Sequence, residues 1–173
     1  MFVQSIGKVL ATFIFSTQLI FIEPIKPYEI DPIRTEDNRT EQKRTEDDVV
    51  LYSQQLGEQF GVEPEIIQAI VEVESDYCAT VHGRNGWGLM QIIPSCHESR
   101  LNKYGYSKED LLDPYKNMVI GTDCFAEIFS RHPDIEYALV CYNKGEGGAA
   151  AYGRRTSAYS DAVMKVYYRL KGE

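Results

Sequence analysis

The sequence predicts an all-α fold, with at most a minimal β element, over most of its length. From about residue 49 onward, apolar residues recur at helical spacings of three and four, and the alternating patterns of hairpin strands are missing. Clusters of Gly and Asn at 82–88 and 143–148 predict loops between helices. Three apolar helix faces are predicted, formed by Met118, Gly121, Phe125, Ile128 and Phe129; by Ile135, Ala138, Leu139 and Tyr142; and by Tyr159, Val163, Val166 and Leu170.

The N-terminus carries an uncharged run of fourteen residues, 9–22, directly after Lys8. This length suits the hydrophobic region of an export signal better than a membrane span, which needs about 20 residues. No small-x-small cleavage site follows, so an uncleaved anchor is the alternative to a removed signal. A buried core helix fits less well, because the run has no polar face. We expect residues 1–25 to be a signal peptide or N-terminal membrane anchor, and the protein to be exported to the cell envelope or the extracellular space.

Residues 26–48 have a different composition, with eight acidic and five basic side chains and almost no large apolar residue after Ile33. Arg-Thr-Glu recurs there with a period of five, which matches neither a helix face nor a strand face. This composition is typical of a solvated spacer. The sequence therefore predicts a charged flexible linker at 26–48, followed by a catalytic domain at 49–173.

Length and charge narrow the class of protein further. A chain of 173 residues with 43% hydrophobic residues can bury the core of one domain. Its net charge of -8 argues against nucleic acid as the partner, because phosphate binding depends on clustered Lys and Arg. An uncharged sugar polymer is compatible with either sign of charge.

Four cysteines occur, and the sequence leaves their state open. They could form two disulfides in an oxidising compartment, in any of three pairings, or remain as four free thiols. A zinc site is disfavoured, because the spacing of the four available Cys and His ligands matches no common zinc module. We therefore expect no metal and no cofactor. The cysteines are Cys78, Cys96, Cys124 and Cys141, and the zinc ligands considered are Cys78, His82, Cys96 and His97.

A helix is predicted from about Pro64 to Ser75, because proline suits the first helical turn. The polar face of this helix is formed by residues spaced three and four apart. Glu74 is not one of them: it continues the apolar stripe that includes Ile70 and Val71. The polar residues are Glu65, Gln68, Glu72 and Asp76.

Burial of Glu74 and its place near a helix C-terminus would both raise its pKa. A carboxylic acid that stays protonated near neutral pH can donate a proton to a leaving glycosidic oxygen. The alternatives are a carboxyl neutralised by a partner, such as Arg84 or a helix N-terminus, and a frayed helix end that is open to solvent.

Three short motifs in order resemble the lytic transglycosylases related to goose-type lysozyme. They are Glu74-Ser75, the run Gly-Leu-Met-Gln-Ile at 88–92, and Tyr142-Asn143. The resemblance covers roughly residues 50–170 and includes further agreement at Pro94, Asp113-Pro114, Asn117, Gly121 and Tyr159. Each motif alone is weak, but their order and spacing together are specific.

The resemblance implies a lysozyme-like helical domain with a substrate cleft. In it, Glu74 would be the catalytic acid and base, and Ser75 would help to orient it. The substrate-binding residues would be Met90 and Gln91 lining the cleft, Tyr142 and Asn143 facing the scissile bond, and Tyr159 approaching Glu74 from the last helix.

The chain also departs from the family pattern. Asn85-Gly86 stands where Gly-Ala is usual, Trp87 is added beside it, and Cys141 replaces the usual Ala. Trp87 is the only tryptophan and is a candidate for stacking on a sugar face, with ordinary packing as the alternative. These changes affect the expected shape of the cleft.

Most glycosidases use two carboxylates, whereas the motif set here contains only Glu74. Asp113 lies at a predicted helix start, where a cap is the more common role. The resemblance implies that one Glu cleaves the MurNAc-GlcNAc β-1,4 bond of peptidoglycan and closes a 1,6-anhydroMurNAc end without water.

Other functions stay open at this stage. One alternative is a hydrolytic muramidase of the same fold, with Asp113 or Glu98 positioning water. A second is an inactive glycan-binding module of an envelope-spanning assembly, and a third is a chitin-directed enzyme. The expected partners are peptidoglycan glycan strands and components of the envelope or of a secretion apparatus. We expect no nucleic acid, and membrane contact only through the N-terminal segment.

Overall fold

The computed structural model describes residues 38–83 and 85–173, with side chains from residue 45 onward. Over these ranges the chain forms six α-helices, and the predicted all-α class is confirmed. Two short 3-10 helices, Pro94–Cys96 and Glu109–Leu112, connect the longer elements. The helices are α1 (Asn38–Phe60), α2 (Pro64–Ser75), α3 (Glu98–Tyr104), α4 (Pro114–Arg131), α5 (Ile135–Tyr152) and α6 (Ala158–Lys171).

Helix α1 begins earlier than the sequence suggested. It starts at Asn38, so residues 38–48 of the expected flexible linker are helical, and that boundary is corrected. The physical reason is composition: six of the eleven residues at 38–48 are Glu, Gln, Lys or Arg, which are strong helix formers, and the segment continues directly into the packed part of the helix. The remaining linker residues, 26–37, and the N-terminal segment, 1–25, lie outside the described residues.

Helix α2 has the predicted bounds, Pro64–Ser75, with proline in the first turn. It ends sharply, because Asp76 and Tyr77 both adopt left-handed backbone conformations, with φ of 49° and 62°. The Asp76 N–H closes the last turn on the Glu72 carbonyl. Glu74 is thereby fixed in the final turn of the helix, at the edge of the domain core.

The core is formed where the helices pack. Helix α2 contacts α1 and α6, α4 contacts α1, and α5 lies against both α4 and α6. The three predicted apolar faces all contribute, with Met118, Leu139 and Val163 completely buried. The predicted core positions on these faces are therefore confirmed.

The two predicted loops differ from each other in the structure. Residues 81–83 and 85–92 include isolated antiparallel bridges from Trp87 to His82 and to Ile92, the minimal β element of the described residues. Residues 143–148, in contrast, lie within α5, which is broken only at Gly145, with φ of 69° and ψ of 154°. The Gly-rich cluster is therefore a kink within a helix, because one residue absorbs the whole change of direction.

The cysteines are unpaired, with Cys78 and Cys96 exposed and Cys124 and Cys141 buried. In the described part of the chain, no group of His, Cys, Asp and Glu side chains is arranged to hold a metal ion. No helix among the described residues has the length and apolar character needed to cross a membrane.

Candidate active site

The site is built around Glu74, whose side chain is partly buried in the last turn of α2. Burial raises the pKa of this carboxyl, and the Tyr159 hydroxyl beside it lowers the pKa by less. Among the described residues, no cation forms an ion pair with Glu74; Arg84, considered above as a partner, lies outside them. The carboxyl is therefore biased towards its protonated form, as the helical phase of the sequence predicted.

The other acidic residues of α2 have different environments. Glu72 accepts a hydrogen bond from the Tyr77 hydroxyl at 2.9 Å and pairs with Arg169 of α6. Asp76 is exposed beyond the helix end. The polar face and the apolar stripe are thus separated as predicted, and Glu74 is the carboxylate that turns towards the core.

Tyr159 comes from the first turn of α6 and lies close to Glu74. Its hydroxyl is buried, and it makes no hydrogen bond of normal geometry with any described residue. Burial and the neighbouring charge of Glu74 raise its pKa well above the usual value. A small rotation would allow the hydroxyl to donate to the carboxylate, so Tyr159 can stabilise the ionised form of Glu74 when a proton has been given up.

Tyr142 approaches the same carboxyl from α5. Its hydroxyl donates to the Met90 carbonyl at 2.9 Å, and its ring packs edge-on against Phe125 with centroids 6.2 Å apart. Burial is the main reason that its pKa is raised, and the charge of Glu74 contributes. The structure therefore brings Glu74, Tyr142 and Tyr159 together from three helices that are distant in sequence.

Asn117 holds the loop that carries the Gly-Leu-Met-Gln run. Its side chain is completely buried in α4 and uses both ends of the amide. The oxygen accepts from the Met90 N–H at 2.8 Å, while the nitrogen donates to the carbonyls of Trp87 and Leu111, both at 2.8 Å. Loop 87–92 is thereby fixed to the helix beneath it.

Two glycines make this close approach possible. A Cβ on Gly88 would lie 2.3 Å from the Leu111 carbonyl oxygen and 2.4 Å from the amide nitrogen of Asn117. A Cβ on Gly121 would lie 2.3 Å from the sulfur of Met90. At Gly88 the Leu111 carbonyl and the Asn117 side chain fill the space of a Cβ, and at Gly121 the Met90 side chain lies directly on the backbone of α4, so neither position has room for a larger residue.

Met90 is corrected from a cleft-lining residue to a core residue. Its side chain is 1% exposed and packs against Gly121, so no sugar can reach it. The physical reason is that its backbone is bonded on both sides, to Asn117 and to Tyr142, which turns the side chain inward. Met90 therefore supports the site from beneath.

Gln91 lies at the surface of the same loop, with a left-handed φ of 47°. Its amide nitrogen donates to the Gly88 carbonyl at 2.9 Å and to the Val81 carbonyl at 3.4 Å. The loop backbone therefore provides acceptors for the Gln91 amide nitrogen. Because Gln91 is partly exposed, its predicted contact with substrate stays a prediction.

Ser75 and Asn143 are the remaining predicted site residues. The Ser75 hydroxyl donates to the Val71 carbonyl at 3.0 Å, within its own helix, so its orienting effect on Glu74 stays a prediction. Asn143 is exposed in α5, one residue after Tyr142 and two before the kink at Gly145. Its side chain is accessible, and its predicted contact near the scissile bond stays a prediction.

The candidates for a second carboxylate have other environments. Asp113 caps α4 and accepts from the Lys116 N–H at 2.9 Å, as its position before Pro114 suggested. Glu98 is exposed in the first turn of α3, where a negative charge suits the helix dipole.

Trp87 is partly buried, with its ring centroid 4.4 Å from that of His82.

Asn117 is the positioning residue to which the sequence assigned no role, although a signal was present. It lies four residues before Gly121 and eight before Phe125, on the apolar stripe of α4. A polar residue on a core-facing stripe is the same pattern that singled out Glu74. Applied to every helix, the pattern would have found both residues.

Comparison with known proteins agrees with this architecture. Residues 51–165 match the family described as the transglycosylase SLT domain. A protein of Escherichia coli O157:H7 called a peptidoglycan-binding-like protein is 34% identical over 129 residues, which cover 67% of this chain and 75% of that protein.

A solved structure shares the fold. The lytic transglycosylase Slt of Pseudomonas aeruginosa, in an inactive mutant form, aligns with a TM-score of 0.55 at 20% identity and covers 68% of this chain. This chain spans 20% of that protein's length, and the likeness concerns the fold alone. The match over residues 51–165, together with the helical fold, shows that the chain belongs to the SLT transglycosylase family of lysozyme-like lytic transglycosylases.

Proposed function

We propose that this protein is a peptidoglycan lytic transglycosylase that cleaves the MurNAc-GlcNAc β-1,4 bond and leaves a 1,6-anhydroMurNAc end. The observation that carries the proposal is the environment of Glu74: one carboxyl with a raised pKa, flanked by two tyrosines, while Asp113 is occupied in capping α4. A site with one available carboxyl favours a reaction that needs no separate base for water.

In the proposed first step, protonated Glu74 donates its proton to the glycosidic oxygen as the bond from that oxygen to C1 of MurNAc breaks. The GlcNAc side leaves as an alcohol, and Glu74 becomes a carboxylate. The family resemblance implies that the N-acetyl group of the substrate stabilises the positive anomeric carbon. At this stage Tyr159 can donate a hydrogen bond to the carboxylate, because a hydrogen bond to an ionised acceptor is stronger than one to a neutral carboxyl.

In the second step, the Glu74 carboxylate removes the proton from the C6 hydroxyl of the same MurNAc. The C6 oxygen forms the new bond to C1, which closes the anhydro ring. Glu74 is protonated again, so the cycle balances without water and without a second acid or base.

The test uses the full chain with purified peptidoglycan and mass spectrometry of the released muropeptides. We expect anhydroMurNAc ends from the natural protein and a loss of at least about a hundred-fold for Glu74→Gln. Glu65→Gln, the same change on the polar face of the same helix, is the matched control and should keep full activity.

The outcomes separate the rival functions. Reducing MurNAc ends in place of anhydro ends would make the protein a muramidase. Products from chitin, with none from peptidoglycan, would identify chitin as the substrate. Binding without release by the natural protein would make it a glycan-binding module.

We also propose that the protein acts outside the cytoplasmic membrane, because its proposed substrate lies there. Residues 9–22 provide the export signal or anchor on this proposal. Fractionation of cells that produce the full chain, followed by N-terminal sequencing, would distinguish a cleaved signal from a retained anchor.

A further inference from the structure

Two cations share one exposed aromatic ring at the C-terminal end of α5. The Lys144 ammonium lies 4.8 Å from the centroid of the Tyr152 ring, and the Arg154 guanidinium carbon lies 5.8 Å from it. All three residues are exposed, and 39% of the Tyr152 surface is accessible. We refer to Lys144, Tyr152 and Arg154 as the cationic patch.

The cationic patch lacks a negative partner. Neither Lys144 nor Arg154 forms an ion pair with any carboxylate in the described part of the chain. The nearest acid in sequence, Glu146, is occupied by Arg131 and His132 at 2.9 Å. In a chain with a net charge of -8, two like charges on one ring without a counter-charge are an exception that favours an anionic ligand.

Neighbouring cations differ from those of the cationic patch because they have carboxylate partners. Arg155 also lies over an aromatic ring, that of Tyr137, but it is paired with Asp134 at 2.8 Å. Arg131 pairs with Glu127 and Glu146. The cations around the cationic patch are therefore neutralised within the protein, whereas those of the patch are held in place by Tyr152 and keep their charge available.

The cationic patch lies near the two tyrosines of the active site along the chain. Lys144 is two residues after Tyr142, a separation that the chain spans in at most about 7 Å, and Arg154 is five residues before Tyr159. Both tyrosines adjoin Glu74. Seven of the nine residues between Lys144 and Arg154 are Gly or Ala, so few side chains in that segment are large enough to cover the two cations.

We infer that the cationic patch binds a carboxylate of the stem peptide that peptidoglycan carries on MurNAc. This inference rests on the proposed function, because the stem peptide is attached to MurNAc, the sugar whose glycosidic bond Glu74 is proposed to cleave. The glycan backbone offers no charge where the stem is attached, whereas the stem offers free carboxylates. Arg154 supplies the planar fork that pairs with a carboxylate, and Lys144 adds a second positive charge.

The experiment compares two forms of one peptidoglycan that is free of other anionic polymers. In one form the stem carboxylates are intact, and in the other they are converted to neutral amides. The full chain carrying both Lys144→Gln and Arg154→Gln should lose about ten-fold in muropeptide release from the first form and stay within about two-fold on the second. Lys165→Gln, an exposed lysine of α6, is the matched control.

A double charge reversal, Lys144→Glu with Arg154→Glu, should deepen the loss on the intact form only. Equal losses on both forms would overturn the inference, as would no loss on either. Glycan stripped of its peptides keeps only the lactyl carboxylate; an equal loss there would assign the patch to that group and overturn the stem-peptide proposal.

Binding provides a readout that does not depend on cleavage. The Glu74→Gln chain should co-sediment more strongly with the intact form than with the amidated form, and adding Lys144→Gln with Arg154→Gln should remove this difference. A natural protein that releases no product from either form would refute the proposed function, while this binding difference would still decide the role of the cationic patch.

Discussion

Removal of the Asn117 side chain is the most direct test of how this domain holds its site. Asn117→Ala deletes three hydrogen bonds of 2.8 Å and leaves the buried Met90 N–H and Leu111 carbonyl without a partner, while the Trp87 carbonyl keeps its bond from the Ile92 N–H at 3.0 Å. Each orphaned buried group costs roughly 1–3 kcal/mol, reduced where water can enter the space. We expect a loss of about 3–5 kcal/mol in the free energy of unfolding, a large part of a typical total of about 5–15 kcal/mol.

The assay is urea unfolding of the full chain, followed by far-ultraviolet circular dichroism and by fluorescence. Trp87 is the only tryptophan and lies in the loop that Asn117 holds, so its emission reports that loop separately from the helices. Asn102→Ala is the matched control, because Asn102 is exposed on α3, and it should change stability by less than about 0.5 kcal/mol.

A second variant tests the reasoning at the level of single bonds. Asn117→Asp keeps an acceptor for the Met90 N–H but loses both donors and places a carboxylate oxygen against two carbonyl oxygens. We expect it to be at least as destabilising as Asn117→Ala at neutral pH. A loss below about 1 kcal/mol for the alanine variant would refute the view that Asn117 fixes the loop.

Two further predictions concern proton transfer and thiol access. Activity that depends on protonated Glu74 falls as pH rises through its pKa; because the Tyr159 hydroxyl lowers that pKa, Tyr159→Phe should raise it and move the alkaline limb of the pH–rate profile upward. Tyr168→Phe, at an exposed tyrosine, is the control, and a downward shift for Tyr159→Phe would contradict the assignment. The exposed thiols of Cys78 and Cys96 should react rapidly with Ellman's reagent in the folded chain. Cys124, whose pKa burial raises to about 11, and buried Cys141 should react only after denaturation, and four rapid reactions would contradict the packing of α4 and α5.

Features that depend on local sequence could be predicted well. Pro64 and the spacing of apolar residues determined the bounds of α2, and the same spacing separated Glu74 from Glu72 and Asp76. Local rules suffice here because helix initiation and helical phase depend on neighbours within about four residues.

Features that depend on distant partners could not be predicted. The orientation of Met90 is set by Asn117, 27 residues away, and by Tyr142, 52 residues away. The beginning of α1 was missed for a different reason: charged residues such as those of 38–48 suit both a solvated spacer and an exposed helix turn, and the continuation into a packed helix decides between them. At Gly145, composition indicated an interruption but not that the helix resumes after it.

The loop beneath the active site also explains how this family is recognised. Gly88 is glycine because Leu111 and Asn117 occupy the space of a side chain, Leu89 and Met90 belong to the core, and the Gln91 amide ties the loop together. Selection for a stable domain is therefore sufficient to retain these four residues, Gly88 to Gln91. On the proposed function, selection for catalysis acts separately, at the end of α2. An active enzyme and a descendant that had lost its activity could therefore share the Gly-Leu-Met-Gln run, and they would diverge first at Glu74 and Tyr159.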